Sequence, residues 1–528
     1  MIGRSDLAAP AALFAIVVAV YATSMVNGFV YDDHEVLLAQ PPLGSAADLA
    51  RIFAEPHGLP LSGLPYYRAV TRASLLVQKT LHGDVAALFH LGNALLMGVA
   101  AVGAWWLLRF PRFGLPPAAA LLAAAAFALH PVASSCVHPI ASGRETLMVG
   151  VFWLFAVGAQ LRGGLAGRAA AALLLGCALL SKEQALALPG VLVGADALRL
   201  SRDPPTTLRT WLFAVAPIAI VVALYFALRA AVFPPDPSGT PPWTVVAGSL
   251  TQNPAGPVWA ILYALQSVFA PRAGLVYEPA LEVWLSWPRL LWAAAGLCAV
   301  VALCLRRPRR DLPVLVFWLA WIPVCMATTL NLVPLEVAFA ERFVFVSSLG
   351  PVALAAAGLA GLAGPSRTLR ARRAVVALGV AVIAVLTILS IGRGRFYRDD
   401  VAFARQWVRT SPRHANAHST LGTVLLERGQ DLEAMAVLRE AVRLDPGHAT
   451  ARYNLAVALS ERGELGEAAL EFERSLAAYA DNPDAHYALG VLRALEGSNG
   501  AARRHLQEAL RLRPGFREAR EALAGLPR

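Results

Sequence analysis

The sequence predicts an all-α protein: a polytopic membrane helical domain of about eleven spans over residues 1–392, followed by an α-solenoid over 393–528. Three observations predict it. Of 528 residues, 57% are hydrophobic and 15% charged, with mean hydropathy +0.55, against about 45–50% apolar and about 25% charged in ordinary soluble domains. Apolar runs that approach the length of a spanning helix recur throughout the first 390 residues. Beyond them the chain repeats itself, with Leu421, Leu455 and Leu489 spaced by 34 residues. This composition excludes a soluble enzyme and a disordered chain.

The apolar runs fall at 7–26, 86–108, 115–130, 143–161, 169–181, 184–198, 210–232, 289–305, 313–330, 349–363 and 374–391. Arginines cluster in the short loops between them, at Arg109/Arg112, Arg162/Arg168, Arg199/Arg202/Arg209, Arg306/Arg307/Arg309/Arg310 and Arg367/Arg370/Arg372/Arg373. Positive loops mark the cytoplasmic side, so all of these share that side with Arg4. The shorter run 257–270 is then re-entrant or interfacial, because a full crossing would carry Arg306–Arg310 outward. An odd number of crossings places the C-terminal tail outside. The run after Arg4 lacks a small-residue cleavage site and reads as a retained signal-anchor. The net charge of +11 divides into +9 over residues 1–392 and +2 from Arg393 onward, and the loops account for the excess without nucleic acid. Cys136, Cys177, Cys298, Cys304 and Cys325 are odd in number and contain no CxxC, which argues against a disulfide framework or zinc site.

The tail has a firm period. Gly429, Gly463 and Gly497 repeat the 34-residue step, as do Ala441, Ser475 and Ala509, while Pro412 and Pro446 close successive units. Small residues where two helices touch, glycine at the turn and proline at the end resemble tetratricopeptide repeats. About three units occupy 415–514, preceded by a half-repeat at Tyr397–Thr410 and capped by a helix at 515–526.

The outward loops carry the chemistry. Asn27-Gly-Phe-Val-Tyr-Asp-Asp-His-Glu35 follows the first span directly. Repulsion between paired carboxylates there raises one pKa; one suits a general base toward a hydroxyl while the other positions it or binds a metal, and the bland reading is a solvated helix cap. Tyr66-Tyr67-Arg68 precedes the second span, His130-Pro-Val and Ser142-Gly-Arg-Glu145 join the third and fourth, Ser181-Lys-Glu183 breaks an apolar stretch, and Glu341-Arg342-Phe-Val-Phe-Val-Ser-Ser348 leads into a later span. Ionisable residues at membrane depth are functional candidates. For Lys182–Glu183 and Glu341–Arg342 the alternative is local ion pairing between helix ends. His130 and His138 meet no metal-ligand spacing and read as helix-end residues bonded to backbone.

The order of these motifs, with the repeats after them, resembles the transmembrane and tetratricopeptide repeat protein O-mannosyltransferases of the GT-C membrane glycosyltransferases, over nearly the whole chain. The resemblance implies inverting transfer of mannose from a polyprenyl-phosphate sugar to Ser/Thr hydroxyls of protein acceptors on the outer face; only Lys79 and Lys182 among the 46 basic residues are lysine, which points to a GC-rich, bacterial genome and so to a bacterial cytoplasmic membrane. It implies catalytic roles for Asp32 and Asp33, contacts from Arg68, Arg144, Lys182 and Arg342 to the lipid phosphate, and support from His34, Glu145, Glu183 and Glu341. No cofactor is expected, and a divalent metal stays open as an alternative. The sequence departs from the family where Ala69 follows Arg68, where Ala133, Ser134 and Ser135 follow His-Pro-Val, and where Glu145 replaces a commoner Asp. The competing readings are glycosyl transfer to a lipid or polysaccharide, and a non-catalytic membrane anchor for a repeat scaffold. A scaffold has no need of Asp32–Asp33, Lys182 and Glu341–Arg342 on one side of a bilayer.

Overall fold

The computed structural model describes residues 4–55, 57–58, 65–233, 255–272, 286–305, 311–329, 340–363 and 368–527. The chain divides into two compact units, Met1–Asp399 and Asp400–Arg528. The expected boundary at 392/393 moves to 399/400 because Arg393 and Tyr397 are buried within the first unit. The described residues are helical apart from turns and a two-residue antiparallel pairing, His57–Gly58 with Pro65–Tyr66.

Each apolar run is helical, but the expected number of crossings requires correction. Among the described residues five helices are long and apolar enough to cross a membrane: Leu7–Val26, Ala86–Leu108, Leu208–Val232, Leu312–Thr329 and Leu369–Tyr397. A sixth is counted if Pro117–Ala128 and Pro131–Val137, bent by 56° at their junction, form one span. Most of the remaining runs fall short for physical reasons. Gly164–Leu179, Gly256–Phe269 and Val346–Leu362 have 10–17 residues, below the ~20 that a bilayer core needs, whereas the helix Trp287–Leu305 runs for 19 residues. The run at 184–198 is split into a tight turn, Glu183–Ala187, and a ten-residue helix, Leu188–Ala197. Ala141–Arg162 is long enough but carries Arg144, Glu145, Gln160 and Arg162. The Arg306–Arg310 cluster and Arg367, used to orient the chain, lie outside the described residues.

Ala141–Arg162 is the centre of the first unit and is buried along most of its length. Glycine permits this: the rings of Phe345 and Trp106 occupy the space that side chains at Gly150 and Gly158 would need, so neighbouring helices approach closely. At the far end of this helix, Asp196 accepts bonds from Gln160 (2.8 Å), Arg168 (3.2 Å) and Ser201 (2.5 Å). Arg168, expected as a loop charge, is therefore part of a buried ionic knot.

The bend at His130–Pro131 has a local cause and a long-range solution. Pro131 cannot continue the helix ladder, which strands carbonyls in an apolar setting where each needs a donor. Tyr21 Oη bonds Ala128 O (2.8 Å), Ser390 Oγ bonds Leu129 O (2.7 Å) and Arg393 Nη1 bonds Pro131 O (2.7 Å). His130 caps the second helix, its Nδ1 accepting from Val132 N at 3.1 Å. Residues from both ends of the unit's sequence thus hold its break in place.

The second unit is a stack of helix pairs: Ala415–Glu427 with Asp431–Leu444, Ala449–Glu461 with Leu465–Ala478, and Pro483–Leu495 with Asn499–Leu512. Asp400–Thr410 precedes the stack and Arg517–Gly525 caps it. Gly429, Gly463 and Gly497 turn the pairs at φ +69°, +78° and +76°, a left-handed conformation that glycine adopts without strain. Another 34-residue series joins the pairs: His418, Arg452, His486 and Arg520 each bond the carbonyl six residues earlier, of Pro412, Pro446, Ala480 and Pro514, at 2.9, 2.8, 3.0 and 2.7 Å.

Candidate active site

Several loops expected to face one side meet at the first turn of the Ala141–Arg162 helix. Arg68 stands just before the helix Ala69–His82, and its Nη1 lies 2.8 Å from both carboxylate oxygens of Glu145. Lys182 Nζ lies 3.2 Å from Glu145 Oε2 and 3.2 Å from Thr146 Oγ1. Arg68 Nε reaches Glu183 Oε2 at 3.1 Å. The chain is extended at Lys182 (φ −166°, ψ 145°), and extended backbone sends successive side chains to opposite faces. Lys182 and Glu183 therefore do not pair with each other; each takes a partner from another segment. Burial, together with Arg68 and Arg342 nearby, lowers the Lys182 pKa to about 8 despite Glu145.

The Glu341–Val344 turn lies against this cluster. Gln184 Nε2 bonds Phe343 O at 2.9 Å, and Lys182 Nζ sits 5.6 Å from the Phe343 ring centroid. Arg342 is buried beside the same ring, its Cζ 5.5 Å from the centroid. Glu341 pairs with Arg393, at 2.7 and 3.1 Å, and not locally with Arg342. That pair links the turn to the His130–Pro131 bend.

The acidic pair approaches the same helix end. Tyr31, at φ +51°, turns the chain after the first span so that Asp33 is buried and Asp32 half-buried. Asp33 Oδ1 accepts from Ala141 N at 2.8 Å and Oδ2 from Val30 N at 3.1 Å. Burial above all, with the Asp32 charge adding to it, pushes the Asp33 pKa up to about 7 against the pull of these N–H donors. Asp33 thus fixes the start of the helix whose next turn carries Glu145. Lys79 clamps the following turn, with Nζ 3.0 Å from Leu37 O and 3.1 Å from Leu38 O. His34 is exposed and Glu35 half-buried.

Arg144 is the expected phosphate contact that the fold sends elsewhere. Its Nε lies 2.5 Å from Asn93 Oδ1, and its Nη2 reaches Gln78 Oε1 (2.8 Å) and Phe89 O (3.1 Å). Adjacent residues on a helix point about 100° apart, so Arg144 and Glu145 serve different neighbours. Among the described residues no group of His, Cys, Asp or Glu could hold a metal ion. Arg393, Lys79, Thr146 and Asn93 went unrecognised in the sequence. Arg393 alone had a signal, as an ionisable residue at the end of an apolar run.

The site therefore comprises an ion cluster, Arg68–Glu145–Lys182–Glu183, with Glu145 and Lys182 buried and Arg68 and Glu183 half-buried, beside a helix start fixed by a carboxylate, with Arg342 and Phe343 along one side. The second unit is a tetratricopeptide-repeat domain: residues 401–449, 419–483 and 453–515 match the tetratricopeptide repeat family model. The chain is similar to solved structures of MamA (24% identity over 23% of this chain and 72% of that one, TM-score 0.22). It is also similar to the Arabidopsis OM64 tetratricopeptide domain (22% identity, 21% and 91%, TM-score 0.20). A third is YrrB, described as a tetratricopeptide protein with an unusual peptide-binding site (23% identity, 31% and 81%, TM-score 0.22). No curated protein matches the chain.

Proposed function

We propose that the protein is an integral membrane glycosyltransferase that moves a sugar, mannose by its family resemblance, from a polyprenyl phosphate to Ser/Thr hydroxyls of proteins on the extracytoplasmic face. The observation that carries this reading is the ion cluster of Arg68, Glu145, Lys182 and Glu183, one helical turn from the Asp33 anchor. Arg68 and Glu183 are its more open members, with side chains 21% and 31% exposed, so a phosphate can enter from their side and displace part of the carboxylate contact. Charged N–H donors are the strong binders of such an anion. Arg342 completes the lining, and Arg144 positions the helix start.

Asp32 takes the acceptor hydroxyl proton as the oxygen attacks the anomeric carbon. The carbon–oxygen bond to phosphate breaks on the opposite face, polyprenyl phosphate leaves with its electron pair, and configuration inverts. Asp33, buried and bonded through both oxygens, acts as the positioning partner. The repeats recruit or present the protein acceptor, outside the cytoplasmic membrane of a bacterium, with the N-terminus inside. The alternative of a passive repeat scaffold leaves the buried Glu145–Lys182 pair at the heart of the cluster without a role, although such pairs are often costly to stability. Purified protein in proteoliposomes, supplied with labelled polyprenyl-phosphate sugars and a Ser/Thr-rich acceptor, should glycosylate the acceptor. Failure with every sugar donor would favour the scaffold.

A further inference from the structure

A groove of about 800 Å³ runs between Pro117–Ala128, Leu349–Leu362 and Leu369–Gly394. Its lining is hydrocarbon except at its two ends, where His130 and Arg372 stand. Small residues such as Ala119, Ala123, Ala356 and Ala360 keep the wall smooth and narrow. At Gly379 the Leu369–Gly394 helix comes close to Leu122, where a Cβ would stand 3.2 Å from it. From Arg372 to Leu386 the groove follows fourteen residues of helix, a length of about 21 Å.

We infer that this groove seats an acyl chain of an anionic phospholipid, its phosphate held at Arg372. The inference rests on the membrane placement proposed above but not on glycosyl transfer. The groove's outer wall, Leu369–Tyr397, leaves nearly all of its apolar stretch unburied, so in a bilayer lipid is the material that reaches it. The volume falls within the about 300–1,000 Å³ of ligand-binding cavities. Charge sets the orientation. Arg370 and Arg373, both exposed, flank Arg372 at the helix start, so three positive charges stand at this end of the groove. An anionic headgroup therefore lies at the arginine end. That end is about 32 Å of helix from Arg393, which pairs with Glu341 beside the candidate site. The lipid is thus a second, structural lipid, distinct from a sugar donor.

The full chain, reconstituted in vesicles of phosphatidylcholine and phosphatidylglycerol and then extracted gently, is examined by native mass spectrometry. The wild type should retain phosphatidylglycerol in preference to phosphatidylcholine. Arg372→Gln should reduce that preference about fivefold, the effect of one basic residue at an anionic surface. Ala356→Phe, which fills the groove, should abolish retention of either lipid, and the milder Ala119→Leu covers the case in which that variant does not fold. Equal retention of both lipids by the wild type, undiminished retention in the groove-filling variants, or recovery of polyprenyl phosphate in place of phospholipid would each overturn the proposal. Release of the protein from membranes by alkaline carbonate would instead refute the membrane placement, separately from the groove.

Discussion

Glu145 neutralises two cations at once, which makes Glu145→Gln the most informative perturbation of the site. The carboxylate meets Arg68 Nη1 at 2.8 Å and Lys182 Nζ at 3.2 Å. Glutamine keeps the shape and one acceptor for Arg68, but its amide nitrogen brings a donor toward the lysine donor. Breaking a buried pair costs about 3–5 kcal/mol, because the remaining charge is left uncompensated. Lys182 is 8% exposed and pays that in full, while Arg68, at 21%, recovers part of its solvation; the expected loss is about 2–4 kcal/mol. Equilibrium unfolding in mixed micelles measures it. If the cations are poised for a lipid phosphate, a short-chain polyprenyl phosphate should narrow the gap between variant and wild type by about 1.5 kcal/mol or more, the worth of a charged hydrogen bond. A destabilisation below about 0.5 kcal/mol, the range of ordinary surface changes, would refute the geometry of the cluster. A full-sized loss that the phosphate leaves unchanged would mean that the cluster is purely structural.

Other consequences follow from single residues. Asp33 has its pKa raised from 3.8 to about 7, so between these values the folded chain holds a proton that the unfolded chain gives up. Stability should fall as pH rises through that window, and Asp33→Asn should flatten the slope in unfolding titrations across pH. Arg393→Met should destabilise the first unit by about 3–5 kcal/mol, since Glu341 then stays buried without its cation; thermal unfolding of Arg393→Met with Glu341→Gln should recover part of that loss. Arg452→Ala should cost the repeat domain about 1–3 kcal/mol by removing its bonds to Pro446 O and Glu471, and Arg452→His, the residue of the neighbouring repeats, should restore part of it in denaturant melts.

How much of this was legible in the sequence depends on whether a feature is local. Hydropathy located each apolar run because helix formation and burial both follow composition over a window of residues. It did not reveal how many runs cross, because one proline at Pro131 or a shortfall of a few residues changes a span into a bend or a short buried helix. The 34-residue period exposed the repeats. The series His418, Arg452, His486, Arg520 shares that period but alternates residue type, and so was hidden although its hydrogen bond is constant. The ion pairs were least legible. Lys182–Glu183 and Glu341–Arg342 look like local pairs, yet Glu145 is 77 residues from Arg68 and Glu341 is 52 from Arg393. Such partners are fixed by which loops the fold brings together, and a single sequence does not contain that distance. The same holds for the acidic pair: adjacency suggested shared chemistry for Asp32 and Asp33, whereas the positive φ at Tyr31 buries one and leaves the other half-open.

The division of labour between those two carboxylates is the central claim, and initial-rate transfer by purified Asp32→Asn in proteoliposomes tests it most directly. A general base contributes about 10²–10⁴-fold, so kcat should fall within that range while donor binding, read by phosphate-dependent stabilisation, stays near the wild-type value. Transfer by Asp32→Asn at a rate close to wild type would contradict the account.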